Sequence, residues 1–264
     1  MIKVLYINQE MIPYVPETDL AIMGKELPQK MQEAGFEVRT FMPKWGNINE
    51  RRGQLHEVIR LSGMNIIIDE TDHPLIIKVA SIPMTRIQVF FIDNEDHFSN
   101  RHTTVDELGI EYPDNGERAI FFARGVLETV KKMRWIPDII HCQGWMGAVI
   151  PLYVKTAYRD EPAFANVKVV TSLFANQLKC DLGDKFKRCV EYRDVDAKLL
   201  EPYKERFDFV ELGKLAIDYS DAIAEAGPDI NSELHQYAIA KGIPMIEYPG
   251  EDYAQHYIDL YNKL

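Results

Sequence analysis

The chain has 264 residues, 46% of them hydrophobic and 27% charged, enough for one large α/β domain or two small ones. Its formal charge of −11 repels phosphate backbones, so neither nucleic acid nor an anionic membrane surface is an expected partner. No apolar run approaches the roughly 20 residues of a membrane-spanning helix. Met1 to Val4 leads into a strand without a signal-peptide pattern. Cys142, Cys180 and Cys189 have no metal-type spacing, and their odd, sparse count predicts reduced thiols in a cytoplasm.

The chain opens as strand, loop, helix and strand. Ile2 to Asn8 is the first strand, and Lys3 to Ile7 is nearly all apolar, as a strand buried on both faces should be. Leu20, Met23, Leu27 and Met31 form one stripe of a helix over 20–34, Gly35 suits its C-cap, and Glu37 to Met42 is the second strand. In such a βαβ unit the loop after the first strand lies at the carboxyl edge of the sheet, where ligands bind. A phosphate-cradling loop calls for glycines. This loop instead ends in Pro16-Glu17-Thr18-Asp19, with no glycine and two carboxylates. The bland reading is a helix start capped by Thr18 or Asp19.

Residues 53–93 change character. Leu55 to Leu61, Met64 to Asp69, Leu75 to Ile82 and Ile87 to Ile92 read as short strands between turns, a hairpin-rich insertion. Asp93 to Asn115 reads as a polar loop with at most a short helix. Glu117 to Met133 is a helix with Phe121, Phe122, Val126 and Val130 on one stripe, and Lys131, Lys132 and Arg134 suit its C-terminus. Pro137 to His141 is a strand, Gly147 to Ala157 a helix, and Val167 to Ser172 a strand. Residues 177–210 are mixed, highly charged and expected to be helical over the sheet's edge. Gly213 to Tyr219 (helix), Ala222 to Ala226 (strand) and Asp229 to Lys241 (helix) follow. Residues 243–264 form a strand–helix tail. The predicted fold class is α/β: one domain over 1–264 with a Rossmann-like, doubly wound, mainly parallel sheet and an antiparallel hairpin insertion. Fold alone does not give a function.

An ordered set of short runs goes further. These are Glu10-x-x-Pro13, Leu27-Pro28, Met42-Pro43-Lys44-Trp45-Gly46, Val89 to Asn94 with Phe98 and Arg101, and Asn115-x-Glu117-Arg118-x-x-Phe121-Phe122-x-Arg124. Pro137 to His141 with Trp145 and Pro151-Leu152-Tyr153, Phe209-Val210-x-Leu212-Gly213-Lys214, and Asp221-Ala222-Ile223 complete the set. Together, over about 230 residues, they resemble the N-terminal, starch synthase catalytic domain of glycogen and starch synthases, which are GT-B glycosyltransferases. The resemblance implies α-1,4-glucan synthesis from a nucleotide-glucose donor in the cytoplasm, with no metal or other cofactor.

The departures from that pattern fall on its site. The family's Lys-Thr-Gly-Gly-Leu loop aligns on Pro16 to Leu20, where only the Leu is kept. The His and Asp of its His-Asp-Trp motif fall on Gln143 and Gly144, and its His-Asn pair falls on Leu173-Phe174. The family's second domain, which carries most of the nucleotide site, has no counterpart in this sequence. The expected protein is therefore a transferase impaired or inactive alone, a pseudoenzyme. The alternative is a non-catalytic glucan-binding or regulatory module that pairs with a copy of itself or with a partner protein.

No catalytic residue is assigned. His141, Gln143 and Trp145 are the candidate sugar-binding residues, because a His at a strand's carboxyl end can bind a hydroxyl and an aromatic face suits a pyranose. The bland readings are a satisfied His and a core Trp. Asn176, Gln177, Lys179 and Arg188 are further candidates for that edge, with a solvated loop as the default. Asp69-Glu70-x-Asp72-His73 has the composition of a metal-ligand run but reads as a turn. Glu251-Asp252 suits the start of the last helix, and Tyr253, Tyr257 and Tyr261 make a stripe expected to pack on the sheet, as a final helix crossing back onto the first domain would.

Overall fold

A computed structural model of the protein describes residues 1–175, 178–250 and 252–264. The opening unit is β1 (Lys3–Asn8), α1 (Asp19–Glu33) and β2 (Glu37–Pro43). A helical turn, α2 (Glu50–Gly53), leads into β3 (His56–Glu57), β4 (Met64–Ile68), β5 (Thr71–Ser81) and β6 (Gln88–Asp93). Then come α3 (Asn115–Met133), β7 (Ile139–Gln143), α4 (Ile150–Lys155), β8 (Lys168–Leu173), α5 (Phe186–Val190) and α6 (Ala197–Leu200). The chain closes with α7 (Phe209–Asp218), β9 (Ala222–Glu225), α8 (Ser232–Lys241), β10 (Met245–Ile246) and α9 (Ala254–Lys263).

The strands form one sheet in the order β10-β9-β8-β7-β1-β2-β6-β5-β3, with β4 paired to β5. Pairings from β10 across to β6 are parallel, and those of β5 with β3, β4 and β6 are antiparallel. This is the expected doubly wound sheet with its hairpin insertion. From β1 the chain moves outward through β2 to one side and later returns to β7 on the other. That reversal makes the carboxyl ends of β1 and β7 the crevice where ligands bind in open α/β sheets.

Alternation along the strands builds two cores. Leu5, Ile7, Ile140 and Val169 face the layer of α3, α4 and α7, while Val4, Tyr6, Ile139 and Val170 face α1 and α9. Gly35, at φ +94°, turns the chain out of α1 as the C-cap reading requires. Gly24 lets α1 run against the first loop, because a Cβ there would lie 2.3 Å from the Glu10 carbonyl oxygen.

Several boundaries differ from expectation. Of Leu55 to Leu61 only two residues pair as strand, because the run turns at Ser62-Gly63 to let β4 form its hairpin with β5. Of the segment expected to be helical over 177–210, residues 178–208 are largely irregular, with helices of five and four residues. α7 begins four residues before Gly213, capped by the Asp208 side chain. The Asp69-Glu70 pair forms the tight β4–β5 turn with both residues at positive φ, and Asp69 pairs with Arg188. Among the described residues, no cluster of three or more His, Cys, Asp or Glu side chains could hold a metal ion. No helix among the described residues is long and apolar enough to cross a membrane.

Candidate functional site

At the crevice, the first loop is closed by its own hydrogen bonds. Thr18 is the N-cap of α1: its hydroxyl accepts from the Ala21 N–H at 3.0 Å and donates to Glu10 Oε2 at 2.7 Å. The Ile12 N–H donates to the Ala21 carbonyl at 3.0 Å. Pro16, Glu17, Thr18 and Asp19 are all exposed. With Glu10, the rim carries three carboxylates, none of them in an ion pair among the described residues. The positive end of α1 is thus already answered by its cap and by Asp19.

Nearby cations are engaged elsewhere. Lys44, 5% exposed, pairs with Glu50 at 2.9 Å, Glu50 pairs with Lys78 at 2.7 Å, and Lys78 pairs with Asp93 at 2.9 Å. Burial works against the Glu50 charge, but the hydrogen bonds from Lys78 and Lys44 hold its carboxyl below the usual range. Arg118 is fully buried and donates to the His97 carbonyl at 2.6 Å, the Thr103 carbonyl at 2.7 Å and Asn115 Oδ1 at 2.7 Å. Burial lowers it to about 10. The Asn-x-Glu-Arg run is therefore scaffold for the 97–103 segment.

Sequence reasoning missed Gln9. Its N–H donates to the Gln143 carbonyl at 3.0 Å, its carbonyl accepts from Trp45 Nε1 at 2.8 Å, and its Oε1 accepts from the Met146 N–H at 3.1 Å. One side chain thus ties β1 to the turn after β7. It also explains Gly144, which holds φ +91° and where a Cβ would lie 2.6 Å from the Gln9 Cβ. No local sequence signal marks Gln9, since its partners lie 36 to 137 residues away.

The three candidate sugar-binding residues are all buried in this structure. His141 is fully buried, with Nδ1 2.5 Å from the Tyr261 hydroxyl and Nε2 2.6 Å from Ser172 Oγ. Burial lowers it to about 3, so the ring is neutral. Gln143 is also fully buried, and among the described residues neither side-chain amide atom has a hydrogen-bond partner. Trp145 is 7% exposed and lines a cavity of about 30 Å³ with Leu173, Phe174, Phe209, Leu212 and Leu234. That space admits a water or two, not a sugar ring. For His141 the physical reason is α9, whose Tyr257 and Tyr261 are buried against Tyr6 and His141, whereas Trp145 belongs to the other core and packs beside α7 and α8. Lys179 and Arg188 are exposed, and Arg188 is held by Asp69. Asn176, Gln177 and Glu251 lie outside the described residues.

Comparison with known proteins gives the context. Residues 3–245 match the family model described as "Starch synthase catalytic domain". A glycogen synthase of Chlorobaculum parvum is 34% identical over 233 residues, 88% of this chain and 47% of the relative. One of Chlorobium luteolum is 42% identical over 172 residues, 65% of this chain and 35% of the relative. The catalytic domain of starch synthase IV from Arabidopsis thaliana, solved bound to ADP and acarbose, superposes with a TM-score of 0.71 at 18% identity. That match covers 94% of this chain and 51% of the other. The chain spans about half, or less, of the length of the relatives it matches. β10 and α9 lie at and beyond the end of the matched region. With its GT-B-type sheet, its ordered motifs and a family match over nearly its whole length, this chain belongs to the starch synthase catalytic domain family.

Proposed function

We propose that this chain is a glycogen/starch-synthase-type domain that does not transfer glucose on its own. The observation that carries this reading is the crevice. A capped helix start rimmed by Glu10, Glu17 and Asp19 stands where the family resemblance puts glycines and a lysine against the donor's phosphates. Glycosyl transfer from a nucleotide sugar needs positive charge or open backbone N–H groups at the departing diphosphate. Here the helix terminus is occupied, the buried Lys44 is committed to Glu50, and the sugar side is an apolar void of about 30 Å³. If transfer did occur, it would move glucose from a nucleotide-glucose donor to an α-1,4-glucan. The free cysteines, two of them buried, are consistent with a cytoplasmic location.

A second reading is a non-catalytic module that docks on another polypeptide or on a copy of itself. It is supported by the tip of the 104–111 loop, where Leu108 is 85% and Ile110 61% exposed. Their N–H groups both donate to Asp106 Oδ1, so two apolar side chains are presented on a fixed turn beside Gly46 and Arg101. Calorimetric titration with ADP-glucose and UDP-glucose, followed by assay of glucose transfer to maltooligosaccharide, tests the first reading. Micromolar binding with turnover would overturn it.

A further inference from the structure

β10 ends the sheet on its side, so one edge of it has no strand alongside. The Ile223 N–H donates to the Pro244 carbonyl at 2.9 Å, and Met245 stands in register with Ile223. Successive residues of a strand turn their backbone groups to opposite sides. Pro244 and Ile246 therefore face β9, while Met245 and Glu247 direct N–H and C=O out of the sheet. Pro249 has no N–H to offer at the next outward position, so the open run stops there. Unpaired edge groups of this kind are a template for another strand.

α9 lies along the same edge. Met245, Ile246, Leu260, Asp259 and Lys263 line a groove of about 610 Å³ between strand and helix. Ile246 packs on the α9 side of the sheet and Met245 on the α8 side. Asp259 and Lys263 are exposed and lie one helical turn apart. Asp259 accepts from Gln255 Nε2 at 2.8 Å, and neither residue is in an ion pair among the described residues. Glu247 is exposed too, and its backbone makes no hydrogen bond among the described residues.

The symmetry of this edge selects its occupant. A strand edge flanked by one carboxylate and one ammonium is complementary to itself about a two-fold axis, as an isologous interface requires. A foreign strand would meet the same backbone groups without the paired charges. We propose that β10 pairs antiparallel with β10 of a second copy of this chain. Ile246 then stands opposite Ile246 of the second copy as a non-hydrogen-bonded pair with its side chains in contact. Met245 stands opposite Glu247 of the second copy, and the two exchange N–H···O=C bonds. Both α9 helices lie on one side of the joined sheet, antiparallel, with Asp259 of each against Lys263 of the other. Two chains at −11 repel, so the local pairing works against a long-range cost and the affinity is modest. This surface lies across the sheet from the 104–111 loop and rests on the module reading only for its choice of partner.

Sedimentation equilibrium of the full chain should show monomer and dimer exchanging with a Kd on the order of 10 µM. Backbone hydrogen exchange at Met245 and Glu247 should slow as concentration rises. Glu247→Pro removes only an outward donor, so it should weaken the dimer at least about 10-fold and leave the thermal melt in place. Lys263→Glu should weaken it about three-fold or more, and adding Asp259→Lys to that variant should restore it. A chain that stays monomeric to about 200 µM overturns the proposal and leaves the edge to a foreign strand. A dimer unchanged in folded Glu247→Pro, or one lost in Leu108→Ser instead, overturns it in favour of the 104–111 loop. Failure of the charge swap to restore pairing overturns it as well. None of these results bears on the reading of the first loop.

Discussion

Replacing Tyr261 by Phe, and separately Tyr257 by Phe, should have opposite consequences although the two side chains are one helical turn apart. Both are essentially buried, at 2% and 0% exposure. The Tyr261 hydroxyl lies 2.8 Å from the Tyr6 hydroxyl and 2.5 Å from His141 Nδ1, and neither of those atoms has another partner among the described hydrogen bonds. Tyr261→Phe therefore strands two buried polar groups, each costing about 1–3 kcal/mol, so a loss of about 2–6 kcal/mol is expected. At about 2.1 cal/mol/K per residue, a chain of 264 residues has an unfolding entropy near 0.55 kcal/mol/K, which converts the loss to about 4–11 °C in Tm. The Tyr257 hydroxyl is buried beside Ser172, its closest polar contact, but no partner among the described residues meets hydrogen-bond geometry. Its removal relieves an unsatisfied group, so Tyr257→Phe should be neutral or stabilising, within about 0.5 kcal/mol. Urea titration followed by far-UV circular dichroism reads both. Equal costs for the two variants, or a cost below about 0.5 kcal/mol for Tyr261→Phe, would show that the hydroxyl network does not hold α9 to the sheet.

Thr18→Ala removes the cap of α1 and should cost about 1 kcal/mol by urea denaturation, whereas Glu17→Ala should be nearly neutral. Gly144→Ala forces a side chain into φ +91° against Gln9, and a loss of about 2–4 kcal/mol is expected from strain plus overpacking, seen as a fall in Tm. Stability should fall in mild acid. Burial lowers His141 to about 3, and burial with the neighbouring His73 lowers His97 to about 4, against 6.5 in the unfolded chain. The unfolded chain therefore binds more protons between those values and pH 6.5. Stability is full above 6.5 and declines as pH falls through that window, by up to about 1.4 kcal/mol per pH unit for each histidine. His97→Phe should flatten the slope of urea midpoint against pH; an unchanged slope would contradict the assignment.

The sheet was readable because its strands, β1, β2, β7 and β8, are short apolar runs punctuated by Gly and Pro, and α1 and α3 carry clear stripes. Helices of four or five residues in the 177–210 segment were not, because charge-rich stretches of that length have no periodicity to detect. The start of α7 could have been found from Asp208 and Glu211, which have the spacing of an N-terminal cap. The altered loop was legible residue by residue, and Thr18 does cap α1. The closing of the sugar side was not legible. It depends on Tyr261 reaching His141 across 120 residues and on Gln9 reaching Met146 across 137, pairings that only the folded topology creates. The tyrosine stripe of the last helix was expected to pack on the sheet, but that it would use the hydrogen-bonding capacity of His141 was not foreseeable from its spacing.

The central claim is that the first βαβ crevice no longer holds a nucleotide sugar. Calorimetric titration of the whole chain with ADP-glucose, repeated with UDP-glucose, addresses it most directly. The account predicts no saturable heat in the micromolar range, because three carboxylates and a filled helix N-terminus face the place a diphosphate would occupy. Micromolar binding that is lost when Lys44 is changed to Met would contradict it, since a lysine assigned to Glu50 would then be serving the ligand.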